Sequence, residues 1–245
     1  MMNKEAIEYV VGLGKEQVVI EAANGGQYTP GRLSRITAPV AAQFETHTLT
    51  SVVDYIKSNI DKLGSVIVHV VSPVEVDVMS ALNSDRAREQ YISSRALLPN
   101  NIKFNTFMDT ESFNIMMQSS FVTHAVEVDG APKDYRKMLL KVTGCVKDEL
   151  IKQVGDDGVS QSATIKTGVA SIGDVVVPNP VMLSPYRTFQ EVEQPLSSFI
   201  FRMTDGPKAA LFEADGGMWK NDAIESIKGF LSENLKEFEG VHILA

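Results

Sequence analysis

The chain has 245 residues, 44% of them hydrophobic and 22% charged, a balance that suits a folded core and excludes a disordered tail or a collagen-like fibre. Asp and Glu outnumber Lys and Arg by 31 to 23, for a formal charge of -8, and such a field repels a phosphate backbone unless basic residues gather on one face, so net charge does not favour nucleic acid as a partner. A single cysteine, Cys145, cannot close an intrachain disulfide, which argues against a fold built for an oxidising compartment.

The opening "MMNKEAIEYVVGLGKE" reads as a short helix with no apolar core of signal-peptide length, so a cytoplasmic location is expected. Residues 21–40 then carry Gly, Pro and Asn without a period, and the expectation is an irregular arm or loop over about 21–48, of the kind that covers a surface or reaches a neighbouring subunit. In "TLTSVVDYIKSNIDKL" the apolar residues Leu49, Val52, Val53, Ile56, Ile60 and Leu63 recur at helical spacing, with Thr48 or Thr50 as N-cap. "SVIVHVV" and "PVEVDVM" read as a hairpin turned at Ser72-Pro73, with Val74, Val76 and Val78 inward and Glu75 and Asp77 toward water. The most apolar window here is about half of what a bilayer requires, so no membrane partner is expected.

Residues 84–97 suggest a helix carrying Arg88, Tyr91 and Arg95 on one stripe. Asp109 is placed to cap a further helix, and another is expected from about Pro132 to Val142. From Cys145 the period changes to that of strands, broken by turn chemistry at "GDDG", "IGD", "PNP" and "TDGP". "FIFRMTDGPKAALFEA" is the clearest hairpin, "NDAIESIKGFLSENLKEF" a closing helix and "VHILA" a terminal strand. The expected class is α+β: helices mainly in the N-terminal half and a largely antiparallel sheet in the C-terminal half, covered by the C-terminal helix. One domain over 1–245 is expected, with the change of period near 144 as its natural point of subdivision.

The chain carries no Walker loop, no G-x-G-x-x-G after a strand, no G-x-S-x-G elbow and no H-E-x-x-H. His47, His69, His124 and His242 are far apart in sequence, and with one cysteine a Cys-rich structural zinc site is excluded. No cofactor is expected. Carboxylates at Asp156, Asp157, Glu213 and Asp215 could converge on Mg²⁺, the basis of an alternative reading as a metal-dependent enzyme acting on nucleic acid or nucleotides. No D-x-K or E-x-K occurs, which removes the restriction-nuclease arrangement.

The stretch "VMLSPYRTFQEVEQPLSSFIFRM", residues 181–203, fits neither a helix nor a regular strand. It reads as a packed lead-in to the core sheet, or as a contact surface for a subunit or ligand through Tyr186, Arg187, Phe189, Glu191 and Glu193, since interface cores are rich in aromatics and Arg. Arg32 and Arg35 on the expected arm belong to the same contact set. Arg86, Arg88 and Arg95 are the group through which a DNA-binding accessory would act.

The stretches "LLKVTGCVKDELIKQVGDDGVSQSATIKTGVA", "VPNPVMLSPYRTFQEVEQPLSSFIFRM" and "AALFEADGGMWKNDAIESIKGFL" resemble the YfdQ-like family of uncharacterised bacteriophage and prophage proteins, as do "LTSVVDYIKSNID", "VHVVSP" and "FMDTESFNIMMQSSFV" upstream. The resemblance implies a phage product made in the bacterial cytoplasm, often encoded near recombination and replication genes, and it brings no catalytic residues. The expected function is therefore non-enzymatic: a self-assembling homo-oligomer that binds a host or phage protein in phage DNA metabolism or host takeover.

Overall fold

A computed structural model describes residues 4–15, 19–23, 25–29, 34–35, 40–84, 86–123, 125–128, 131–144, 151–156, 161–167, 170–177, 179–204 and 208–245. In chain order its elements are α1 (Lys4–Lys15), β1 (Ile20–Glu21), β2 (Gln27–Thr29), β3 (Ser34–Arg35), β4 (Phe44–Thr46), α2 (Leu49–Ser58), β5 (Val66–Ser72), β6 (Glu75–Ser80), β7 (Gln90–Arg95), β8 (Met108–Asp109) and α3 (Thr110–Ser119). There follow β9 (Val126–Val128), β10 (Ala131–Lys133), α4 (Tyr135–Gly144), β11 (Ile151–Asp156), β12 (Gln161–Thr167), β13 (Ala170–Val177), β14 (Val181–Leu183), β15 (Ser197–Thr204), β16 (Lys208–Glu213), α5 (Trp219–Leu235) and β17 (Val241–Leu244).

Two sheets carry the two hydrophobic cores. The first has the order β14-β15-β16-β8, all antiparallel, with Phe199, Phe201 and Leu211 meeting Phe113, Met116 and Met117 of α3 and Leu139 and Val142 of α4. The second has the order β17-β5-β6-β7-β4, in which β17 runs parallel to β5 and β4 parallel to β7. Its buried valines, Val66, Val68, Val70, Val76 and Val78, pack with α2 and α5. Each core draws residues from both sides of position 144.

The α+β class holds, with an antiparallel hairpin β15-β16 in the C-terminal half as expected. The expected segregation does not: strands β1 to β8 lie among the helices of the first half. The C-terminal helix also covers the other sheet, because α3 and α4 already occupy the inner face of β14-β15-β16, and Ile227, Leu231 and Leu235 of α5 enter the second core instead. Burying each such side chain is worth about 1.5 to 3 kcal/mol, so the free apolar face of the second sheet decides where the helix lies.

Local chemistry explains the elements that match. Thr48 caps α2 by accepting from the amide of Ser51 at 3.1 Å, and Leu49, Val52, Val53 and Ile56 are buried. The helix stops at Ser58 because Asn59 takes a left-handed conformation, φ 45°, which leaves Ile60 exposed. Asp109 caps α3 through the amide of Ser112 at 2.8 Å, as expected. Val76 and Val78 of the β5-β6 hairpin face inward, while Glu75 and Asp77 are half-buried.

Two expected helices are corrected. The helix over 84–97 is a turn followed by strand β7: Arg86 has φ 58°, Asn83 Oδ1 accepts from the amide of Ala87 at 2.9 Å, and β6 offers an open edge to "QYISSR". The helix expected from Pro132 begins at Tyr135, where Asp134 accepts from the amide of Lys137 at 2.9 Å, and Pro132 lies in β10 opposite Glu127. Within 21–48, β1, β2 and β3 form a small antiparallel sheet and β4 is the edge of the second large sheet, while residues 40–43 carry no regular element.

Candidate functional site

Residues 184–196 leave the first sheet after β14 and return to it at β15, and between those points they pass into the second core, where Phe189 and Val192 are buried. An irregular segment can be buried only if its backbone groups find partners. Gln194 supplies several of them. Its Oε1 accepts from the amides of Arg187 at 2.9 Å and Thr188 at 3.2 Å, and its Nε2 donates to the carbonyls of Phe189 at 2.9 Å and Val192 at 3.3 Å. Thr188 Oγ1 donates to the carbonyl of Pro73 in the β5-β6 turn at 2.5 Å. Glu191 Oε1 accepts from the amide of Thr50 at 3.3 Å, in the first turn of α2, where a carboxylate is favoured by the exposed amides.

Arg187 is the centre of the segment. Its side chain is 6% exposed, and it reaches Glu213 Oε1 through Nη1 at 3.1 Å. Nη2 donates to Ser197 Oγ and stands 3.8 Å from Asp215 Oδ2. The charge also lies over two rings, 4.0 Å from the centroid of Trp219 and 5.7 Å from that of Phe199. Burial pushes the Arg187 guanidinium down to about 10, against the opposing pull of Asp215 and Glu213. It therefore remains a cation at neutral pH. Burial alone would raise the Asp215 carboxyl, but the amide of Gly217, the Ser197 hydroxyl and the Arg187 charge hold it below the ordinary carboxylate range.

The turn that delivers these groups depends on Gly216 and Gly217, whose φ values of 64° and 84° are open to glycine at little cost. Asp215 Oδ1 accepts from the Gly217 amide at 3.0 Å, and two residues later Trp219 opens α5 with its ring against Arg187.

The structure thus unites residues from two separate expectations. Arg187 comes from the contact set, Glu213 and Asp215 from the metal set, and the single charge of the arginine is shared between the two carboxylates. Of the others, Phe189 is core, Glu191 caps α2, Tyr186 is half-buried with its amide donating to the carbonyl of Ser120 at 2.9 Å, and Glu193 is exposed. Asp156 ends β11 opposite Gln161, Arg35 pairs with Tyr28 in β3, and Arg32 and Asp157 lie outside the described residues, as does Cys145. Among the described residues no three His, Cys, Asp or Glu side chains gather as a metal-holding group. Arg95 is taken up by Glu75 at 2.7 Å and Arg88 Nη1 donates to the carbonyl of Ser80 at 2.8 Å, and neither stands on the helical stripe expected with Tyr91. Sequence reasoning missed Gln194, whose only signal was a second amide in the polar run "QEVEQP", next to Pro195.

A second feature was not expected at all. Residues 40–43 and 87–89 lead into the paired strands β4 and β7 and border an open cleft of about 920 Å³, with Phe44, Tyr55 and Tyr91 among its walls. The Phe44 and Tyr55 ring centroids are 5.9 Å apart, those of Tyr55 and Tyr91 6.5 Å. Tyr55 donates its hydroxyl to Asp61 Oδ2 at 2.8 Å. Burial, the bond to Asp61 and its charge push the Tyr55 phenol upward, and burial with the charges of Glu89 and Asp61 does the same to Tyr91. These residues are spread over three segments, and nothing in the primary order links them.

Fold and sites together define an α+β protein with two cores, a buried arginine node where a crossing segment meets both, and an aromatic cleft at one sheet edge. No protein family, no curated protein and no solved structure matches the chain. No helix among the described residues is long and apolar enough to cross a membrane.

Proposed function

We propose that the protein acts by binding: a self-assembling accessory of phage DNA metabolism or host takeover, made in the bacterial cytoplasm, as its likeness in sequence to the YfdQ-like proteins implies. The observation that carries the binding reading is the cleft of about 920 Å³, whose size and aromatic walls are those of a ligand or peptide site. The occupation of Glu213 and Asp215 by Arg187 supports the same reading, since a divalent ion there would have to compete with a buried, hydrogen-bonded cation. Assembly is tested by light scattering at micromolar concentration with and without DNA. A regular oligomer unmoved by DNA is the expected result; a strict monomer in both conditions contradicts assembly, and a DNA-dependent shift transfers the role to a DNA complex.

A further inference from the structure

We propose that the cleft beside β4 receives a basic side chain, a guanidinium or alkylammonium group, presented by a partner protein on a segment with apolar residues around it. The proposal deepens the binding reading and rests on it, but not on assembly.

The chemistry of the walls selects the charge. Three ring systems, Phe44, Tyr55 and Tyr91, stand in contact along the cleft, and aromatic faces attract organic cations. Asp61 and Glu89 line the same space, both exposed, and Asp61 Oδ2 stands 2.8 Å from the Tyr55 hydroxyl that it accepts from. Among the described residues the lining holds one cation, Arg88, whose Nη1 donates to the Ser80 carbonyl. An arriving guanidinium meets ring faces and carboxylate oxygens at once, the combination that makes charge-assisted pairs strong. A phosphate or carboxylate ligand meets two like charges. The formal charge of -8 adds a field that draws a basic partner in and slows an acidic one.

The rim selects the carrier. Val40 is 67% exposed, Phe44 57%, and Leu82, next to the lining residue Asn83, 56%. The cleft is wider than one basic side chain requires, and this apolar border suits the residues on either side of it in a peptide.

The test is calorimetric titration of the full chain with a capped pentapeptide bearing one arginine between apolar residues, with its citrulline counterpart, which keeps the shape and removes the charge, and with agmatine. The arginine peptide is expected to bind, and the citrulline peptide to bind roughly tenfold more weakly. Glu89→Gln, at an exposed carboxylate, should weaken the arginine peptide several-fold while leaving the thermal transition in place, and Asp61→Asn should do the same while still accepting the Tyr55 hydroxyl. Equal binding of the citrulline peptide, or indifference to both substitutions, overturns the proposal. Agmatine binding as tightly as the peptide overturns the protein partner and leaves a small-molecule cation site. Because the titration with the two cleft variants reads peptide binding and light scattering reads assembly, failure of assembly and failure here are separate results.

Discussion

Arg187 Cζ stands 4.0 Å from the centroid of the Trp219 ring. The arginine belongs to the segment that crosses between the cores, and the tryptophan is the first residue of α5, which packs on the second sheet. Glu213, the last residue of β16, completes the tie from the first sheet. Replacing Arg187 by methionine keeps much of the volume and removes the charge, leaving the Asp215 carboxylate buried without its cation. Breaking a buried pair in this way costs about 3 to 5 kcal/mol. Urea unfolding followed by the fluorescence of the single tryptophan should show a loss of that order, and a smaller one for Arg187→Lys, which keeps the charge but loses the planar stack. A loss below about 1 kcal/mol, the usual worth of an exposed pair, would show that the node is not a stabilising centre.

The same node sets an acid limb. Asp215 titrates below its ordinary value of 3.8 in the folded chain, with Gly217, Ser197 and Arg187 outweighing the effect of burial. A carboxyl whose folded pKa is depressed contributes fully above the unfolded pKa, and the contribution disappears as pH falls through the folded value. Stability should therefore fall as pH drops below about 4. In Asp215→Asn that part of the slope should be absent, measured as denaturant midpoints from pH 5 downward. Parallel acid limbs in the two proteins would mean that Asp215 is not held by the node.

Gln194 and Glu191 are close in sequence but should behave differently. Gln194 is buried and serves four backbone groups, so Gln194→Ala strands the amides of Arg187 and Thr188 and should cost about 2 to 4 kcal/mol. Glu191→Gln keeps an acceptor for the Thr50 amide and loses only its charge at the start of α2, a change of about 0.3 to 1 kcal/mol. Thermal unfolding of the two variants side by side checks the contrast.

The comparison of sequence with structure follows from how far each signal reaches. Thr48 and Asp109 announced their helices because a cap bonds an amide three residues away. The β5-β6 and β15-β16 hairpins were legible because alternation and turn chemistry are also local. Residues 90–95 read as helix since Arg88, Tyr91 and Arg95 have that spacing, while the edge of β6 that made them a strand is a tertiary fact. For the same reason Arg187 and Asp215 each stood out as candidates but not as partners, being 28 positions apart and joined only by the fold. The cleft was invisible because Phe44, Tyr55 and Tyr91 have no common period.

The central claim is that this chain works by joining surfaces, with Glu213 and Asp215 serving as counter-ions of Arg187. The most direct measurement is a calorimetric titration of Mn²⁺ into the wild-type protein and into Asp215→Asn. The expected result is no saturable uptake that the substitution removes. Saturable Mn²⁺ binding in the wild type that disappears in Asp215→Asn would contradict the claim and return these carboxylates to metal chemistry.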